Sequence, residues 1–319
     1  MSQKKRDGGG KPYYSLDEWC KEHYGHKLYK VALDIGCGCP NRDGTIGFGG
    51  CHFCSVGGSG DFAHRPESAQ NIPVTIRRAA ETLSTKWSDI TRMDDRGRII
   101  AYFQSYTNTY GNPLRLRSYF EEALRTDGVA GISIGTRPDC LGEEICQLLL
   151  ELKQRYHDKF IWIELGLQTI HDDVAEGFNR GYSYEIFLRA VQKLREMEIP
   201  FVIHLILGLP GEEKYDIMET IDQMNQIRPF GVKIQLLHIL EDTIYADLYR
   251  RGEITVMSMD EYVGCAVQVL SNLHEDIVIH RITGDGDKEK LLAPEWSKNK
   301  RAVLNQIHKK MAEKRREKR

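Results

Sequence analysis

Three cysteines, Cys39, Cys51 and Cys54, stand in the stretch "CPNRDGTIGFGGCHFC", the last two as a Cys-x-x-Cys pair. Thiolates gathered this closely bind metal, and two kinds of site compete. A structural zinc takes four ligands in a closed shell, and Cys37 would complete it. A four-iron cluster held by three thiolates leaves one iron open to a small molecule, and open coordination means chemistry. On that second reading Cys37 is a spare thiol beside the site. The glycines at 44, 47, 49 and 50 suit a loop that wraps such a group closely. Asn41-Arg42-Asp43-Gly44 reads as a turn, with Arg42 either solvated or offsetting negative charge.

A loop of this kind needs a scaffold. Short apolar runs predict strands over Tyr29–Ile35, Ile99–Gln104, Gly131–Gly135, Phe160–Gln168, Phe201–Gly208 and Gly231–Leu240. Amphipathic stretches predict helices over Pro113–Arg125, Leu141–Tyr156, Tyr184–Glu198 and Lys214–Ile227. Their alternation implies βαβ units and parallel strands, which wind into an open doubly wound sheet or curl into a barrel. Pattern alone admits both. In either, chemistry gathers at the C-terminal strand ends, where the cysteine stretch begins. Past Leu240 a helix follows Ser258, "IVIHRIT" is a last short strand, and a final helix runs into a charged tail. The expected division is an N-terminal segment 1–28, a core domain 29–240 and a C-terminal extension 241–319.

With 319 residues, 41% of them hydrophobic, the chain can bury a large α/β core. A net charge of -2 gives no global attraction to nucleic acid or anionic membrane, so any basic footprint is local. Two candidates are "KKR" near the start and "KKMAEKRREKR" at the end, each either a phosphate contact or a solvated face. No apolar run is long enough to span a membrane, and no h-region follows the first lysines. A cytoplasmic protein without membrane partners is expected. Eight cysteines in a reducing compartment serve metal binding, catalysis or packing rather than disulfides.

The cysteine stretch resembles the cluster loop of radical S-adenosylmethionine (SAM) enzymes, in which an aromatic commonly precedes the last cysteine, as Phe53 does here. Its long first gap departs from the commonest form and is similar to the branch that contains the catalytic subunit of Elongator. The resemblance implies a partial (β/α)6 TIM barrel with a small C-terminal α/β extension. It implies a [4Fe-4S] cluster on Cys39, Cys51 and Cys54, with SAM chelated at the open iron and cleaved reductively to a 5'-deoxyadenosyl radical. It also implies SAM contacts from Gln104 and Ser105, from Gln168 to the ribose, and from Arg180 near the methionine carboxylate. His204 stands where relatives often carry aspartate, and is either a cofactor contact or a core histidine.

"TRPD" at 136–139 resembles the corresponding Elongator segment. Asp139 is expected to cap the next helix, and Cys140 is either a hydrogen-atom donor or a packed thiol. From "KLYKVALDIGCGCPNRDGT" to "HRITGDGDKEKLLAPEWSKNK" the chain resembles bacterial radical SAM proteins of the YhcC and YtqA type, also called MnmL. That implies conversion of 5-carboxymethylaminomethyl-(2-thio)uridine to 5-aminomethyl-(2-thio)uridine at the tRNA wobble position. Its partners would be tRNA and an external electron donor such as flavodoxin or ferredoxin. Tyr102, Tyr106, Tyr110 and Trp296 are candidates for stacking an extruded base. The alternatives are a radical SAM enzyme acting on a small molecule such as a tetrapyrrole, and a non-catalytic metal-binding adaptor.

Overall fold

The computed structural model describes residues 11–317 apart from 59, 61, 87–89, 91–96 and 285. The "KKR" near the start and the last two residues of the basic tail lie outside the described residues. The chain divides into two compact units, one of Cys20–Gly166 with Arg180–Val202, the other of Met1–Trp19, Leu167–Asn179 and Ile203–Arg319.

The first unit carries strands β1 (Tyr29–Leu33), β2 (Ile99–Phe103), β3 (Val129–Thr136) and most of β4 (Phe160–Gln168). Each pairs in parallel with the next. Every residue of β2 and β3 is buried, as in a parallel sheet covered on both faces, which is why their sequences run apolar without alternation. The register aligns Leu33, Phe103, Ile134 and Ile163 across the four strands. The loops after β1, β2 and β3 therefore leave from one edge. β1 ends two residues before its expected limit because Asp34 N–H turns to the carbonyl of His64.

Helix Pro113–Arg125 begins where Asn112 accepts hydrogen bonds from the amides of Leu114 and Arg115, with proline preset at the first position. It covers β3, and its Phe120 meets Phe103 edge-on at 4.9 Å. Inside the sheet, Lys30 donates to buried Glu164 at 2.5 Å and Ser133 donates to the same oxygen at 2.6 Å. Removing one member of such a pair leaves an uncompensated charge, which costs about 3 kcal/mol or more. Two helices in this unit, Leu16–Tyr24 (its first four residues in the other unit) and Ile72–Ser84, were not anticipated from the sequence.

The second unit holds β5 from Ile203 onward (Phe201–Leu207), β6 (Gly231–Leu236), β7 (Ile239–Leu240), β8 (Val278–Ile282) and β9 (Leu291–Ala293). The strand expected over Gly231–Leu240 is two strands: after Leu236 the chain leaves β6, and Ile239 and Leu240 pair antiparallel with β9. β8, the "IVIHRIT" strand, lies parallel to β6. Ser258 and Glu261 form a reciprocal capping box at helix Met259–Asn272, as a serine before an amphipathic run requires. The N-terminal segment joins this unit through a Ser15–Ile279 bridge and a Trp19–Phe230 ring contact at 5.0 Å. Among the described residues no helix is long and apolar enough to cross a membrane.

Candidate metal and cofactor centre

The cysteine stretch leaves β1 and folds back on itself. Arg42 and Asp43 amides bond to the Cys39 carbonyl, Ile46 N–H to Pro40, Gly50 N–H to Asn41, and Cys54 N–H to Cys51 at 2.8 Å. Arg42 fastens the two limbs, because its guanidinium donates to the carbonyls of Cys54 and Ser55, both at 2.7 Å. Arg42 is therefore a structural clamp rather than a solvated turn residue. Asp43 accepts from Thr45 N–H at 3.0 Å and from Tyr110 Oη at 2.8 Å, and the Thr45 side chain first, then these two bonds, hold its carboxyl below the usual carboxylate range. Buried Asn41 is the pivot: a Cβ on Gly47 would fall 2.5 Å from its Oδ1, and one on Gly181 3.0 Å from the same atom.

Gly181 also has φ +78°, where an L side chain is strained. Gly181→Ala is expected to shift the Asn41 pivot, lower iron occupancy after reconstitution several-fold, and cost about 1–2 kcal/mol of stability. Iron per chain and the urea midpoint check this, and wild-type values for both would refute the pivot.

Around the cysteines stand two buried guanidinium groups. Arg137 grips Asp139 with two nitrogens, at 3.0 and 2.8 Å, and donates a third bond to the Arg180 carbonyl at 3.0 Å. Both Arg137 and Arg180 lie 4.7 Å from the centre of the Tyr182 ring. Asp139 is thus the partner of Arg137, not the cap of the next helix, whose N-cap is Gly142 with no side-chain bond. Arg137 was missed as a site residue in the sequence because its role arises from a contact 43 positions away.

Burial pushes the Cys51 thiol up to about 12; Cys54 and Cys39 add to the rise, while Arg137 and Arg180 oppose it. Cys39, Cys51, Cys54 and both arginines thus share one electrostatic neighbourhood. Cys140 belongs to it too: burial first, then Asp139, keeps its thiol protonated, with Cys39 contributing. Cys37 is buried, and burial raises its thiol while nearby Arg115 opposes the rise.

Among the described residues, the trio of possible metal ligands closing within 4.8 Å is His171, Asp216 and Glu219; no trio of the cysteines does so. Tetrahedral zinc–thiolate bonds of about 2.3 Å place sulfurs about 3.8 Å apart.

Ser105, at the end of β2, is 1% exposed, and its Oγ has no hydrogen-bond partner among the described residues. Buried polar atoms left unpaired cost about 1–3 kcal/mol, so a ligand atom is the natural complement. Gln104 beside it is half-buried, and its amide bonds to the Leu33 carbonyl. Neighbouring Asn108 ties β2 to β3 through three amide bonds, to Phe103, Ser105 and Gly135. In the second unit, Gln168 sits at φ 67° with its Oε1 buried and unpaired, and His204 is half-buried on β5. Of the candidate stacking aromatics, Tyr102 carries Lys30 over its ring, while Tyr106, Tyr110 and Trp296 hydrogen-bond the Val56 carbonyl, Asp43 and the Met257 carbonyl through their polar ends.

Glu212, after the Gly-Leu-Pro-Gly turn, lines a cavity of about 650 Å³ with Met257 and Cys265. Burial raises its carboxyl to about 8, against a Thr169 hydrogen bond that lowers it. An unfolded glutamate releases its proton near 4.3, so the folded state binds the extra proton between about 4 and 8. This contribution to stability is full below about pH 4 and is lost as pH rises through about 8. Glu212→Gln is expected to flatten that slope and gain on the order of 1 kcal/mol at pH 8, read by urea unfolding at pH 5, 7 and 8.5. Parallel slopes for both proteins would contradict it.

Residues 34–224 match the family described as the Radical SAM superfamily, and residues 229–313 match the Radical SAM C-terminal domain. The chain belongs to the radical SAM superfamily. It is 41% identical over 301 residues to the uncharacterized protein YtqA of Bacillus subtilis (strain 168), covering 94% of this chain and 90% of that one. It is 28% identical over 162 residues to a tRNA uridine(34) acetyltransferase of Methanocaldococcus jannaschii, covering 48% of this chain and 28% of that enzyme. Among solved structures, archaeal Methanocaldococcus infernus Elp3 with its N-terminus deleted superposes with a TM-score of 0.64 at 16% identity. That match covers 90% of this chain and 64% of Elp3, so this chain spans less than two thirds of that protein. The likeness shows the fold, the α/β partial barrel of radical SAM enzymes with a C-terminal domain. Radical SAM enzymes use a [4Fe-4S] cluster and SAM, and the donor set here, three thiols in one neighbourhood with two buried arginines, fits them.

Proposed function

We propose that this radical SAM enzyme modifies the wobble uridine of tRNA, converting 5-carboxymethylaminomethyl-(2-thio)uridine to 5-aminomethyl-(2-thio)uridine. The observation that supports this substrate is the similarity of its core to an enzyme of tRNA uridine(34). Cys39, Cys51 and Cys54 hold the cluster, and Cys37, turned to Arg115, does not. When bound, the cluster supplies one electron that splits SAM into methionine and a hydrogen-abstracting radical.

The chain's own residues do the rest. In the first unit Gln104, Ser105 and Arg180 bind SAM, with the Ser105 hydroxyl satisfied by it, and in the second unit Gln168 and His204 are the candidate contacts. Arg180 suits a carboxylate, since its planar fork bonds both oxygens, and the Tyr182 ring and buried setting fix its plane. Arg137 positions Arg180 by holding its carbonyl. Cys140 keeps its proton beside the centre; a hydrogen atom returned to the substrate radical would only regenerate the substrate, so this reaction gives Cys140 no catalytic step. The substrate methylene between nitrogen and carboxylate resists ordinary bases, yet loses a hydrogen atom readily because both neighbours stabilise the radical; return of one electron to the carrier then gives an imine, and water splits its C–N bond to leave the aminomethyl nucleoside and a glyoxylate. The electron comes from a carrier such as flavodoxin or ferredoxin.

The test is the modified-nucleoside profile of tRNA from a strain lacking the gene. Carboxymethylaminomethyl forms should accumulate while aminomethyl forms fall. An unchanged profile would reject the tRNA substrate and turn attention to small molecules such as tetrapyrroles.

A further inference from the structure

Helix Lys300–Glu317 buries Val303, Ile307 and Met311 against helix Met259–Asn272, a stripe at four-residue spacing. It is tethered further by Tyr13 Oη to His308 Nε2 at 3.1 Å, by Arg315 to the Pro12 carbonyl at 2.8 Å, and by Lys310 to Asp260 at 3.9 Å. The helix holds seven lysines and arginines against two glutamates, in a chain whose total charge is -2. Positive charge is therefore concentrated here and the remainder of the chain is acidic.

Its placement is specific. At about 100° per residue, Arg301, Lys309 and Arg316 fall within an arc of about 80° centred opposite the buried stripe. All three are exposed, and among the described residues none makes an ion pair or a side-chain hydrogen bond. At 1.5 Å rise per residue they are spaced by about 12 and about 10 Å along the axis. Glu313 flanks the row as its one acidic neighbour on that side.

A solvated face on a soluble helix normally mixes both signs, and cations left without partners on a rigidly anchored helix match a polyanion. We propose that this face docks tRNA phosphates, with Arg301, Lys309 and Arg316 each meeting one; this rests on the tRNA reading above. Such contacts fix orientation and add affinity without reading sequence, leaving nucleotide choice to the catalytic centre.

The experiment measures binding of tRNA from the gene-deletion strain to full-length, anaerobically reconstituted protein across a salt series. The comparison is with the triple variant Arg301→Gln/Lys309→Gln/Arg316→Gln and with Glu313→Lys. The triple variant should bind about tenfold or more weakly at about 0.1 M salt, with the log–log salt slope shallower by about 2 to 3. Glu313→Lys should bind more tightly by about threefold. Iron content and tRNA-independent 5'-deoxyadenosine formation should be unchanged in both. If all three proteins bind tRNA with one affinity and one slope, this surface is overturned and the tRNA reading stands. If the unsubstituted protein does not bind tRNA, the tRNA reading fails and the surface with it.

Discussion

Alanine at Cys39, Cys51 or Cys54 is expected to reduce reconstituted iron from about four per chain to well below one, and to abolish SAM cleavage. A cubane held by three thiolates has no spare protein ligand to lose. The fourth cysteine of the stretch should behave differently. Cys37 is buried with Arg115 as its partner, so Cys37→Ala should retain most iron. A modest stability loss, about 1 kcal/mol for a small buried side chain, is all it should show. Iron assay and the brown charge-transfer absorbance read the difference directly. A Cys37 variant as iron-free as the other three would move the site to a four-sulfur shell and remove the open position.

The second large effect is expected at Arg180. It is 1% exposed, donates to the Tyr182 carbonyl at 2.9 Å, and acts on Cys51 together with Arg137. Arg180→Met keeps the volume while removing the charge, and such replacements in a core are often close to neutral for folding. Iron content should therefore survive. Two other properties should not. SAM affinity should fall by at least about tenfold with loss of a bidentate carboxylate partner, worth about 1.5–3 kcal/mol. Loss of a neighbouring positive charge disfavours adding an electron, so the cluster potential should become more negative. For a neighbouring unit charge at an effective dielectric of about 20, a shift on the order of tens of millivolts is expected for one electron. A redox titration and equilibrium SAM binding separate these effects from simple damage. Unchanged potential and unchanged binding would show that Arg180 only supports the loop.

The parallel strands were legible because they are buried on both faces: "IIAYF" and "GISIG" admit few readings other than covered parallel strands, while their curl into a barrel came from the family resemblance and not from the pattern. Helices Pro113–Arg125 and Lys214–Ile227 fall at their expected limits, fixed by a proline start in one and a capping box with a left-handed Arg228 in the other. The cysteine stretch announced metal chemistry by residue type alone.

Side-chain partners set by tertiary contact were harder to read. Asp139 sits where a helix cap is reasonable, yet an arginine two residues earlier takes both its oxygens. Arg42 looks like a surface turn residue until the loop folds back and offers it two carbonyls. The short β7–β9 pair is fixed by neighbours distant in sequence rather than by its own periodicity, and the helix Ile244–Arg250 starts at a Thr243 cap too short a signal to single out beforehand. Trp296, free to stack a base on sequence grounds, is held by Met257 and lies 5.6 Å from Tyr262.

Electron paramagnetic resonance of the anaerobically reconstituted, dithionite-reduced protein, recorded with and without SAM, probes the vacant coordination position itself. The account predicts about four irons per chain and a reduced-cluster spectrum that changes when SAM binds. Protein carrying one zinc and no iron, or an iron spectrum indifferent to SAM, would contradict it.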